Sequence, residues 1–101
     1  MTTIQVYKMT GGGSVRISDT MKTHLGKLIA ANGIATIDPA VGKDVSIPEV
    51  EVNSPGKLIL APNGGTIHIG HLVDTTHGTG ITKKITNGGK IYIGGNVYSL
   101  I

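Results

Sequence analysis

A mainly β fold with one short helix is what this sequence predicts, arranged as a compact antiparallel sheet, sandwich or small barrel built from Gly-rich hairpins. Three observations carry that expectation. Ile, Val and Thr supply 34 of the 101 residues, and β-branched side chains suit a pleated surface. Gly supplies another 16, the residue that tight turns favour. From Gly56 onward, short apolar-alternating stretches are separated by Gly-rich turns as far as Ile101, a pattern of strands joined at close intervals.

The chain is the size of a single domain, 1–101. It has no Cys, which excludes a disulfide framework and a thiolate zinc site. No apolar run approaches the roughly 20 residues of a helical membrane span. Met1-Thr2-Thr3-Ile4-Gln5 offers neither the basic nor the apolar region of a signal peptide.

In chain order, Ile4 to Met9 and Ser14 to Ser18 flank Thr10-Gly11-Gly12-Gly13 and read as a hairpin. The helix follows. Ser18 or Asp19 caps its start, and Met21, Leu25, Leu28 and Ile29 recur at i, i+4, i+7 and i+8 as one apolar stripe. Gly26 weakens it, and Asn32-Gly33 supplies a left-handed C-terminal stop. Ile34 to Ile37 is a strand ending at Asp38-Pro39. The stretch 39–55 holds three of the four prolines, which predicts an edge strand or an extended arm.

An internal repeat is the most specific feature. Asn63-Gly64-Gly65-Thr66-Ile67-His68-Ile69-Gly70-His71-Leu72-Val73 aligns with Asn87-Gly88-Gly89-Lys90-Ile91-Tyr92-Ile93-Gly94-Gly95-Asn96-Val97, identical at seven of eleven positions with an offset of 24. Gly13 to Ser18 and Gly56 to Ala61 echo it. Each copy is a turn that launches a short strand with one buried face. Two clear copies fall short of the three or more that a solenoid usually needs, so a compact sheet or sandwich is the expectation. The last copy reads as a hairpin turning at Gly95-Asn96, which pairs Ile93 with Tyr98 and Ile91 with Leu100.

Charge and motifs argue against chemistry. Nine Lys and Arg oppose six Asp and Glu, and charged residues make up only 15%. No basic run exceeds Lys83-Lys84 and the three tyrosines are scattered, unlike the concentrated basic face with aromatics of a nucleic-acid binder. His68, His71, Asp74 and His77 are the one cluster of ligand-type residues. Residues three apart on a strand point to opposite faces, so His68 and His71 share a ligand only if Gly70 makes a bulge. His71, Asp74 and His77 could meet on the loop 74–80, within one chain or across a symmetry axis. Solvated or hydrogen-bonded loop histidines outweigh both. Glu49 and Glu51 read as a solvated pair, the serines show no nucleophile elbow, and the Gly-rich loops at 11–13, 64–65 and 88–89 match no Walker loop. No catalytic, metal or cofactor residue is assigned.

The stretch Gly12-Gly13-Ser14-Val15-Arg16-Ile17-Ser18-Asp19, with a short helix ending Ala30-Ala31-Asn32-Gly33-Ile34-Ala35, resembles small bacteriophage structural proteins. The terminal Ile91-Tyr92-Ile93-Gly94-Gly95-Asn96-Val97-Tyr98-Ser99-Leu100 is similar to strands of phage virion proteins. The resemblance implies a virion component of the capsid decoration (cement) type, small, β-rich, often trimeric and bound where capsomers meet. A mean hydropathy of +0.14 without Phe or Trp fits a subunit whose sheet edges and apolar faces are covered by a partner. The expectation is therefore a non-enzymatic protein of the virion, assembled in the host cytoplasm. It stabilises a phage capsid by binding the major capsid protein or another virion protein, as a homo-oligomer with a trimer favoured. A tail spike or fibre module, trimeric with axial histidines on a metal, is one alternative. A carbohydrate-binding module using exposed Tyr and the loop 74–80 is the other.

Overall fold

The computed structural model describes residues 5–18 and 25–94. Its strands are β1 (Gln5–Met9), β2 (Ser14–Ile17), β3 (Leu25–Ala30), β4 (Ile34–Ile37), β5 (Asp44–Val52), β6 (Lys57–Leu60), β7 (Thr66–Asp74), β8 (Ile81–Lys83) and β9 (Lys90–Ile93). Odd strands form one sheet in the order β1-β3-β5-β7-β9 and even strands a second, β2-β4-β6-β8. Every strand pairing is parallel. The chain therefore winds as a β-solenoid, alternating between the two sheets, and each circuit lies about 4.8 Å above the last, the spacing of hydrogen-bonded strands.

This overturns the antiparallel sandwich or barrel with a helix. Hairpins are absent among the described residues: β1 and β2 flank a Gly-rich turn as expected but belong to different sheets, so that turn is a corner. The expected helix is replaced over 25–30 by β3, in which Leu28 and Ala30 are buried while Lys27 and Ile29 are half-buried. The helical spacing of Met21, Leu25, Leu28 and Ile29 coexists with a period-two pattern over 27–30. Pairing on both sides, Leu28 with Tyr7 and with Val50, decides in favour of the strand. Gly33, expected as a helix stop, has φ 112 at a corner between β3 and β4. The 39–55 stretch is no arm or edge strand, since its β5 lies between β3 and β7. Residues 95–100 of the expected terminal hairpin lie outside the described residues, as does 19–24 of the expected helix; Ile91 to Ile93 pair in parallel with Ile67 to Ile69.

Register explains the repeat. The offset of 24 is one circuit, Thr66 opposite Lys90 and Ile67 opposite Ile91, and the fainter echoes at 13–18 and 56–61 contain β2 and β6, separated in their sheet only by β4. Inward positions thus stack into columns such as Val45–Ile67–Ile91 and Ile47–Ile69–Ile93, with Leu28–Val50–Leu72 beside them. In the other sheet Ala35, Leu58 and Ile81 stack likewise. Medium aliphatic side chains fill this interior, and stacking like on like buries them without any Phe or Trp. A buried Leu or Ile contributes about 1.5–3 kcal/mol relative to exposure.

The long strands bend. In β5 the buried residues are 45 and 47, then 50 and 52, and in β7 they are 67 and 69, then 72 and 74. Two consecutive residues face outward at Pro48-Glu49 and again at Gly70-His71, so the alternation slips by one at the same level of both circuits. The circuits approach so closely at the bend that a Cβ on Gly70 would lie 2.6 Å from the Pro48 carbonyl oxygen.

Candidate functional site

Outward residues form columns as regular as the inward ones. On one side, His68 stands opposite Ser46 in β5 and Tyr92 in β9. The imidazole and phenol rings stack with centroids 5.3 Å apart and planes at 17°. Such a pair turns one ring face of each partner toward the other and presents ring edges to solvent. Tyr92 is 51% exposed, with one ring face turned to His68.

Around the bend, Lys27 sits opposite Glu49, and Glu49 opposite His71. The Lys27 ammonium lies 3.6 Å from Glu49 and 3.9 Å from Glu51. The two carboxylates therefore share one cation, a departure from the purely solvated pair expected from the sequence. Asn53 donates from Nδ2 to Glu51 at 2.7 Å, and Thr75 donates from Oγ1 to Asn53 at 2.8 Å, tying consecutive circuits together at this corner. A third polar group joins Arg16 and Ser18 to the Asp38 carboxylate, Ser18 Oγ donating at 2.7 Å. Carboxylates so engaged hold the corners in place.

Asp74 is the one buried polar or charged residue among the described residues, 1% exposed. It continues the inward column Ala30–Val52–Asp74, then turns its carboxylate to the loop that follows. Oδ1 accepts from the Thr76 backbone N–H at 2.8 Å and from its hydroxyl at 2.5 Å, and Oδ2 accepts from the Gly78 N–H at 2.6 Å. Thr76 Oγ1 in turn accepts from the Gly80 N–H at 2.8 Å. This is an Asx-type turn, and its signal, Asp-Thr-Thr-x-Gly between two strands, was present in the sequence.

The four ligand-type residues are thus parted. The slip at Gly70-His71 puts both His68 and His71 on the outer surface, but on either side of the bend. His68 is stacked on Tyr92, Asp74 points inward and into its turn, and His77 occupies a left-handed position with φ 54. Among the described residues no three of His, Cys, Asp and Glu gather as a metal site. The Gly-rich turns at 64 and 88 are corners joined by side chains, with Asn63 Oδ1 accepting from the Thr86 hydroxyl at 3.1 Å and from the Asn87 amide.

A comparison with known proteins finds no family model, no curated protein and no solved structure that matches the chain.

Proposed function

We propose that this chain is a non-enzymatic structural module of a virion, of the spike or fibre kind, and that it works by rigid self-association. The observation that carries the reading is the in-register parallel ladder, in which each circuit supports the next and hydrogen-bonded strands run through the whole described solenoid. A stack of this kind resists distortion because its circuits are joined by backbone hydrogen bonds and its core columns are continuous. Its polar side chains are spent on cross-circuit ties such as Thr75–Asn53 and Asn87–Asn63. Exposed aliphatic residues on the outer surface, Val6, Ile34 and Val73, suit lateral packing against other copies.

The capsid-decoration reading loses support by comparison. An extended arm at 39–55 would have suited lattice contacts, but β5 holds most of that stretch between two neighbouring strands. Light scattering on the purified chain tests the proposal. A closed homo-oligomer, a trimer above all, that survives heating and detergent is the expected result. A monomer at all accessible concentrations overturns it.

A further inference from the structure

We propose that Asn87 is a site of spontaneous, structure-selected deamidation through a succinimide, the folded solenoid exposing this asparagine to the reaction while shielding two others of the same local sequence. Asn-Gly occurs three times in the described chain, at Asn32-Gly33, Asn63-Gly64 and Asn87-Gly88. In each, the glycine backbone nitrogen is the nucleophile and the asparagine side-chain carbonyl carbon the electrophile. Glycine leaves that nitrogen sterically open, so sequence alone ranks the three sites equally.

The structure separates them. At Asn63-Gly64 the Gly64 N–H donates to the Thr86 carbonyl at 2.9 Å, and the Asn63 N–H to the Pro39 carbonyl at 2.9 Å. The nucleophile is held, and Asn63 Oδ1 is fixed by Thr86 and Asn87. At Asn32-Gly33 both sides are pinned: Asn32 N–H donates to Met9 at 2.8 Å, its carbonyl accepts from Gly12, and Ile34 N–H donates to Gly13 at 2.9 Å. Asn32 Nδ2 also donates to the Thr10 carbonyl at 3.2 Å, and a Cβ on Gly33 would lie 2.3 Å from the Gly13 oxygen. No room remains there for the backbone to swing.

Asn87-Gly88 combines an unpartnered nucleophile with open space. Among the described residues the Gly33 N–H also lacks a partner but lies in a closed corner, and the Gly64 N–H is bonded, while the Asn87 side chain is held only through its amide to Asn63. Both residues are exposed at the tip of the turn Thr86 to Gly89, with φ 52 and 76. That turn is closed by Gly89 N–H donating to Thr86 at 3.0 Å, which leaves the central amide pointing outward, as in a type I′ turn. Among the described residues the Gly88 N–H has no hydrogen-bond partner. The space around Gly88 is open within 4 Å, so the local rotation that brings Gly88 N to Asn87 Cγ meets no packed neighbour.

In the reaction, base removes the Gly88 amide proton, the nitrogen forms a bond to Asn87 Cγ, and the Cγ–Nδ2 bond breaks with loss of ammonia. One water then opens the imide at either carbonyl, giving aspartate or isoaspartate, and no oxidant or cofactor enters. Either product removes the amide that donates to Asn63; aspartate sets a carboxylate beside the Asn63 carbonyl oxygen, and isoaspartate reroutes the backbone through the former side chain, so both loosen the tie between these two circuits.

The test is a peptide map of the intact chain held at mildly alkaline pH, read by mass spectrometry with isoaspartate detection, beside the same chain in denaturant. In the native protein the peptide containing Asn87 converts about tenfold or more faster than those containing Asn63 and Asn32, the ratio expected where reaction waits on local opening. In denaturant the three converge. Native conversion of Asn63 or Asn32 at a rate matching Asn87 overturns the proposal, as does a native Asn87 that stays intact while the denatured chain reacts.

Discussion

Replacing Asp74 by Leu separates two ways in which this fold could hold its fourth circuit, the one that begins with β7. The position continues the column Ala30–Val52, so on burial alone a leucine suits the site. If carboxylate acceptance governs instead, Leu leaves the Thr76 and Gly78 N–H groups without their acceptor in a site 1% exposed. Hydrogen bonds to a charged group contribute about 1.5–3 kcal/mol each, and a buried donor left unpaired costs about 1–3 kcal/mol. Two such donors set against about 2 kcal/mol gained from an added buried aliphatic group give a net loss of about 2–3 kcal/mol. Asp74→Ala lacks the offset and loses about 4–5 kcal/mol. Asp74→Asn keeps one acceptor for Thr76 but turns an amide toward the Gly78 N–H, and loses about 2 kcal/mol. Urea unfolding is the assay. With a slope of about 1–2 kcal/mol per M, the Leu variant's midpoint falls by about 1–3 M. Hydrogen exchange places the change, with protection lost first over 75–80. A Leu variant as stable as the parent refutes the reasoning, because the turn would then need no carboxylate.

Gly70→Ala places a Cβ 2.6 Å from the Pro48 oxygen and lowers stability by about 1–3 kcal/mol in thermal unfolding, whereas Gly11→Ala, with nothing within 4 Å, stays within about 0.5 kcal/mol of the parent. A double-mutant cycle on His68→Ala and Tyr92→Ala gives a coupling of about 0.5–1.5 kcal/mol for the stacked pair, measured as the non-additive part of the unfolding free energies. Lys27→Met costs no more than about 1 kcal/mol, and the difference shrinks with added salt, because the Lys27–Glu49 pair is partly exposed. Leu58→Ala, at a position without measurable exposure between Ala35 and Ile81, costs about 2–5 kcal/mol in the same denaturation assay.

Strands were far more legible in the sequence than their partners. The alternation of Val45, Ile47, Val50 and Val52, and that of Ile67, Ile69 and Leu72, identifies strands and their buried faces. Periodicity along a strand carries no information on whether its neighbour lies one turn or one circuit away. That information resides in the offset of 24 between two copies of Asn-Gly-Gly, which is one circuit. The earlier circuits preserve the hydrophobic column but not the residues, Ala35 standing where Leu58 and Ile81 stand, so identity fades while geometry persists. The helix was misjudged for a related reason. Leu25, Leu28 and Ile29 satisfy a helical stripe, and only the neighbours at Tyr7 and Val50 reveal that Leu28 belongs to a column. Proline misled too. Pro48 faces outward at a bend, where its missing N–H is tolerated inside a sheet.

At the site, the histidines drew notice by spacing; Gly70 makes no bulge, the β5–β7 register running through it unbroken, and the in-phase slip of both strands is what puts His68 and His71 on the outer surface. The phase slip nevertheless turned them away from one another around a corner. Asp74 drew notice only as a ligand-type residue, and its burial was not visible, because burial depends on the circuit beneath it.

Parallel stacking in register is the claim on which all else rests, and interstrand nuclear Overhauser contacts on isotope-labelled protein test it most directly. The solenoid predicts contacts linking Val45 with Ile67, Ile67 with Ile91, and Leu58 with Ile81, in the pattern of parallel neighbours, and extended couplings over 25–30. Cross-strand contacts pairing 5–9 with 14–17 in antiparallel order, or helical contacts over 25–30, would contradict it.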